Sequence, residues 1–164
     1  MVAIVEADPA TSAAFDELSE ANLRLFLREP FTAIGSDASN RNTTGPLSSD
    51  RPHPRAFGTF ARFLGRICRD QGSLPLEQGI RRLTSLPAEL LGIADRRGSL
   101  LPGYPADVVL FDPAAVLDLA TYEQPLQYAA GVRHVLVNGQ LVVEDGAHTG
   151  AKAGRFVRGP GFKS

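Results

Sequence analysis

Phe31-Thr32-Ala33-Ile34-Gly35-Ser36-Asp37 is the stretch on which the fold reading turns. Its first four residues are mostly apolar, follow Pro30 and empty into Gly35-Ser36, so they read as a short buried strand. Asp37 then stands at the C-terminal end of that strand. Immediately upstream, Ser19 suits a helix N-cap and Glu20 suits the positive first turn that follows. Leu23, Phe26 and Leu27 recur at helical spacing, and Pro30 stops the helix. Helix, strand, then a carboxylate at the strand's exit is the order of an α/β protein. The apolar run Met1–Val5, ending in Glu6-Ala7-Asp8-Pro9, is expected to be another strand.

Downstream, residues 38–54 are rich in Ser, Thr, Asn, Gly and Pro and predict a long loop. Loops of that length inside compact domains are often functional, although a disordered linker has the same polar composition. Helical spacing returns with Phe60, Phe63, Leu64, Ile67 and Cys68 on one stripe and Arg62, Arg66 and Arg69 mostly elsewhere, an arrangement expected to give a solvated arginine face. Gly72 closes that helix. A second helix is predicted near Leu76 to Leu83, burying Ile80 and Leu83. A third starts at Ser85 with Pro87 in its first turn, packs Leu90 and Leu91, and ends at Gly92. After Gly98 the period shortens. Ala106–Phe111, Val132–Val137 and Leu141–Val143 read as strands, the last two joined by Asn138-Gly139, the favoured pair for a type I′ hairpin. Asp145-Gly146 supplies a further turn, and the glycine-rich basic tail is expected to fray. The expected parts are residues 1–98 with the loop 38–54, a β-sandwich segment at 99–149, and a flexible tail at 150–164.

Composition narrows the function classes. A hydrophobic fraction of 43% and a charged fraction of 21% are those of an ordinary globular chain. A net charge of -1 speaks against a dedicated nucleic-acid binder. No apolar run approaches the roughly 18 residues of a membrane span. Glu6 and Asp8, without a basic start, do not make a signal peptide, and the single Cys68 excludes an internal disulfide. A cytoplasmic setting is the simplest expectation.

Several segments carry a resemblance. Ile34-Gly35-Ser36-Asp37, followed by His53-Pro54-Arg55-Ala56-Phe57-Gly58-Thr59-Phe60, resembles the D-aminoacylase (N-acyl-D-amino-acid deacylase) branch of the amidohydrolase superfamily. Thr84-Ser85-Leu86-Pro87-Ala88, Pro102-Gly103-Tyr104-Pro105-Ala106-Asp107 with the strand after it, and His134-Val135-Leu136-Val137-Asn138-Gly139 follow in the same order. The Pro-Gly and Ala-Asp element is shared across the superfamily, whereas the His-Pro-Arg run after Gly-Ser-Asp is narrower. Two positions depart from the pattern. Ala38 stands where the family commonly has glycine, and Ala61 where it commonly has proline.

The resemblance implies the C-terminal end of a metal-dependent hydrolase (β/α)8 barrel, with residues 31–37 as its eighth strand, followed by part of a small β-sandwich. It implies cleavage of N-acyl-D-amino acids, with zinc in the complete enzyme. It assigns Asp37 as the carboxylate that shuttles a proton from the nucleophilic water to the departing nitrogen, and Arg55 as the grip on the substrate carboxylate. His53 either orients the loop, touches substrate or shapes the turn between its two prolines. The residues read alone also allow Asp37 to cap a loop and Arg55 to form an exposed ion pair. Zinc hydrolysis takes about three protein ligands and an open position, and this chain has only His53, His134 and His148, with no His-x-His pair. No metal ligand is therefore assigned, and Cys68, His134 and His148 are expected to be structural. The chain is expected to be inactive alone, to need a missing N-terminal part, and to expose strand edges that favour oligomers. Two alternatives are a non-catalytic assembly module and a cyclic-amidase branch such as a dihydroorotase or hydantoinase.

Overall fold

The computed structural model describes residues 19–162, so the strand expected at Met1–Val5 lies outside the described residues. The chain divides after Thr32 into two compact units. In the first, α1 (Glu20–Arg28) starts as expected: the Ser19 hydroxyl accepts the Asn22 N–H at 3.2 Å. Past its end, the Thr32 hydroxyl donates to the Phe26 carbonyl at 2.8 Å. Leu27 is buried, but Leu23 and Phe26 are exposed.

One expectation is corrected at this point. No strand forms over Phe31–Ile34. A strand exists only with a neighbour to complete its ladder, and the Ile34 N–H instead donates to the Arg82 carbonyl at 3.3 Å.

The second unit is mixed α/β. Its helices are α2 (Arg55–Arg62), a π-helical continuation (Phe63–Asp70), α3 (Leu76–Leu83) and α4 (Ser85–Leu90). The wider winding shows at its end, where the Gln71 N–H reaches back five residues to the Arg66 carbonyl at 2.9 Å. Ala61 is buried within α2, and an N–H there lets the helix run on where a proline would interrupt it. Phe63, Leu64 and Cys68 form the buried stripe, and Gly79 of α3 lies against them; a Cβ there would stand 2.7 Å from the Cys68 sulfur. Phe60, Ile80, Leu90 and Leu91, all expected inside, are exposed, while Leu86 and Ala88 are buried instead. Helical period identifies an apolar face, but burial needs a second surface to meet it.

The sheet follows its sequence signals closely. β1 (Val108–Phe111), β2 (Val132–Val137), β3 (Gln140–Glu144) and β4 (Ala147–His148) make one antiparallel sheet in chain order. Asn138 and Gly139 turn between β2 and β3 with φ of 49° and 81°, the double left-handed geometry of a type I′ turn. Asp145 and Gly146 repeat it at 46° and 79° before β4. Asn138 also donates to the Ala153 carbonyl and accepts from Arg97, both at 2.7 Å. Within the tail expected to fray, the Arg158 carbonyl likewise accepts from Arg96.

The arginine face of α2 and its continuation is exposed as expected, and it also binds the segment between β1 and β2. Asp118, 7% exposed, accepts from Arg62 at 3.1 Å and Arg66 at 2.7 Å, and Arg69 donates to the carbonyls of Pro113, Ala114 and Val116. Gly58 and Gly65 make the approach possible, because a Cβ on either would run into Asp118 or the Val116 carbonyl. Val116, at 2% exposure, is the most buried large side chain described.

Candidate active site

Asp37 lies three residues beyond Ile34 in the left-handed region, with φ of 46°. Aspartate tolerates this conformation better than most side chains, and such outliers concentrate where geometry serves a site. Its carboxylate is 89% exposed and pairs with Arg55 at 3.0 Å. That separation brings together two groups that stand 18 positions apart in the sequence. The loop between them is ordered by local bonds: Arg41 pairs with Asp50 at 2.7 Å, the Asn42 N–H reaches the Leu47 carbonyl, and a short 3-10 turn forms at Gly45–Ser48.

Arg55 is the first residue of α2, preceded by Pro54, which offers no capping side chain. His53 supplies the acceptor, its Nδ1 taking the Arg55 N–H at 3.0 Å. On its other side, Nε2 lies 2.8 Å from the Tyr122 hydroxyl, and the two rings meet edge to face with centroids 5.0 Å apart. Arg51 donates to the Glu123 carbonyl at 2.7 Å, and the Tyr128 hydroxyl donates to Asn42 Oδ1 at 2.6 Å. The Tyr128 ring packs edge-on to Phe57. The Glu123 carboxyl is held below the usual carboxylate range by hydrogen bonds from its own backbone and from Thr121, with Arg51 adding to the effect.

The three residues singled out in the sequence, Asp37, His53 and Arg55, are thus brought into one cluster, whereas His134 and His148 make separate local contacts. His134 faces Asp145 across a turn at 3.6 Å, and His148 accepts the Gly150 N–H at 2.9 Å. Cys68 is a buried thiol whose pKa burial raises. Tyr122, Tyr128 and Arg51 were not singled out by sequence reasoning. The two exposed tyrosines within the turn-rich run 121–128 were the available signal, but nothing periodic ties them to residues 69 and 86 positions earlier. A cavity of about 330 Å³, lined by Asp112, Gly131, Arg133 and Asp145 among others, includes none of the cluster.

The cluster does not fit a metal by its own means. Among the described residues no three His, Cys, Asp or Glu side chains converge as a ligand set, and the charged partner of Asp37 is a guanidinium. What the arrangement offers is an exposed carboxylate able to accept and return a proton, beside a planar cation suited to an anionic ligand.

Comparison with known proteins places the chain in a family. The Amidohydrolase family pattern matches residues 20–143. A D-aminoacylase of Alcaligenes xylosoxydans xylosoxydans is 43% identical over 154 residues, which is 94% of this chain and 30% of that protein. The solved structure of a D-aminoacylase with a binuclear metal center superimposes with a TM-score of 0.75 at 46% identity, over 84% of this chain and 27% of that one. The N-acyl-D-glutamate deacylase of Bordetella bronchiseptica, solved with zinc and a phosphonate inhibitor mimicking the tetrahedral intermediate, gives 0.67 at 42% identity, over 76% and 25%. The chain therefore spans under a third of the length of these relatives. On the extent of these matches, the chain belongs to the amidohydrolase family, and over most of its length it is similar to the D-aminoacylases and N-acyl-D-amino-acid deacylases.

Proposed function

We propose that this chain contributes the proton-shuttling carboxylate and the substrate-carboxylate clamp of a zinc-dependent deacylase, which hydrolyses N-acyl-D-amino acids to a carboxylate and a free D-amino acid. In this reading residues 1–98 close the C-terminal side of a (β/α)8 barrel, 99–149 belong to a β-sandwich, and 150–164 form a tail. The zinc's ligands fall outside the described residues, and the complete enzyme acts on small anionic substrates, with no nucleic acid or membrane as partner, in the cytoplasm.

The single observation that carries the reading is the 3.0 Å approach of Arg55 to Asp37. In an N-acylated α-amino acid only the Cα separates the carboxylate from the amide nitrogen. A group that grips the carboxylate must therefore stand beside the group that serves the nitrogen. Arg55 uses Nη2 toward Asp37 and has five N–H donors in a rigid fork, enough to take a carboxylate in two parallel bonds. Asp37, reaching past that fork, accepts the proton released as water attacks the carbonyl carbon and delivers it to the nitrogen as the C–N bond breaks.

The test is a complete enzyme in which this chain replaces the matching segment of the Alcaligenes D-aminoacylase, loaded with zinc and assayed on N-acetyl-D-amino acids. Asp37→Asn should lower kcat by about 100-fold or more, the scale of a lost acid–base group, with zinc content retained. Arg55→Ala should raise KM by roughly 10- to 100-fold, the worth of charge-assisted hydrogen bonds. Equal kcat for Asp37→Asn and the parent would remove the shuttle.

A further inference from the structure

We propose that His53 and Tyr122 are positioning residues that hold Arg55 for the substrate carboxylate, a role that rests on the reading of Arg55 above. The tautomer follows from the hydrogen bonds. The Arg55 backbone N–H can only donate, so His53 Nδ1, 3.0 Å away, presents its lone pair. The neutral ring then carries its hydrogen on Nε2, which donates to the Tyr122 oxygen at 2.8 Å. The imidazole is thereby held at both ends, by the backbone of the clamp residue and by a turn 69 positions later in the chain.

This arrangement replaces an ordinary helix cap. The first N–H groups of a helix lack partners and are usually met by a Ser, Thr, Asn or Asp side chain. Before α2 stands Pro54, which has none to offer. His53 meets the Arg55 N–H from one residue further out, and so sets the direction in which the Arg55 side chain leaves the helix. The Arg55 N–H fixes the tautomer, and the Tyr122 hydroxyl, able to accept or donate, takes the hydrogen left on Nε2. Tyr122 thereby anchors the far end of the ring and keeps Nδ1 aimed at the Arg55 N–H. Arg51, bonded to the Glu123 carbonyl at 2.7 Å, keeps the same turn against the loop. The ring edge of Tyr122 on His53, with planes at 78°, adds a contact that survives removal of the hydroxyl.

Two experiments test the brace together. In the 164-residue chain, nitrogen NMR of His53 should show Nε2 protonated and Nδ1 unprotonated, and Tyr122→Phe should keep that tautomer while the Nε2 hydrogen exchanges faster with water. In the zinc-loaded enzyme described above, Tyr122→Phe and His53→Ala should each raise KM for N-acetyl-D-amino acids by about 3- to 10-fold, the scale of one neutral hydrogen bond. Their kcat should stay within about twofold of the parent. His53→Asn, whose amide oxygen still accepts the Arg55 N–H, should recover part of the loss. With an N-acyl amine lacking the carboxylate, none of the three should differ from the parent. Should His53→Ala fail to fold, Tyr122→Phe decides, since Tyr122 is 71% exposed. An unchanged KM in Tyr122→Phe, or a fall in kcat alone, overturns the brace. An unchanged KM in Arg55→Ala overturns the clamp instead, so the two failures are told apart.

Discussion

Asp37 and Asn138 have nearly the same backbone conformation, with φ of 46° and 49°, and put it to opposite uses. Asn138 sits in a hairpin whose strands pair on both sides of it, and its amide is spent on Arg97 and the Ala153 carbonyl. Asp37 follows a segment with no ladder, and its carboxylate stands almost wholly in solvent with one arginine beside it. The same local strain is repaid by hydrogen bonds at one position and left standing at the other. Asp145 shares that φ and an exposed carboxylate within a hairpin turn, so it is the pairing with Arg55 that sets Asp37 apart.

The largest expected effect comes from breaking the scaffold where left-handed backbone and close packing coincide. Gly131 has φ of 82°, and a Cβ on it would fall 2.5 Å from the Val116 nitrogen. Gly131→Ala should lose about 3 kcal/mol in urea unfolding, combining left-handed strain with overpacking. A loss below about 1 kcal/mol would mean that the segment around Val116 yields easily. Glycine substitutions sharpen the comparison further, because glycine relieves the strain at both turns. Asn138→Gly should still destabilise by about 1 kcal/mol, since it deletes two side-chain hydrogen bonds. Asp37→Gly should instead stabilise by roughly 0.5–1 kcal/mol while abolishing turnover in the complete enzyme. If both shift stability in the same direction, the division between scaffold and site is wrong.

The smallest effect is set by pH. Burial raises the Cys68 thiol above its ordinary value of 9.0, with Arg82 opposing the shift. The folded chain therefore holds that proton more tightly than the unfolded chain does. The associated stability is present below the unfolded value and is lost as pH rises through the folded one. Urea midpoints should fall on going from pH 9.0 upward, and Cys68→Ala should flatten that slope.

Much of this was readable in the residues themselves. The Ser19 cap, the helix at Leu76–Leu83, the strand at Val132–Val137 and the Asn138-Gly139 turn all depend on partners within a few positions. The His-Pro-Arg run after Gly-Ser-Asp pointed to Asp37, His53 and Arg55, which the structure gathers into one cluster. The failures share one cause. Arg62 and Arg66 are the exposed face they were read as, but their pairing with Asp118 was missed because it lies more than 50 positions away. Leu90 and Leu91 were read as core because a helical period says nothing about whether a second surface arrives.

The sequence by itself determined most of the local elements, because caps, turns and periods are interactions between near neighbours along the chain, and its motifs carried the family. Only the tertiary structure decided that Asp37 meets Arg55, that Tyr122 meets His53, and that Asp118 draws in the arginines of α2 and its continuation. Those contacts close loops of 18, 69 and more than 50 residues. No local preference encodes them, because each depends on where the packed core leaves the two ends.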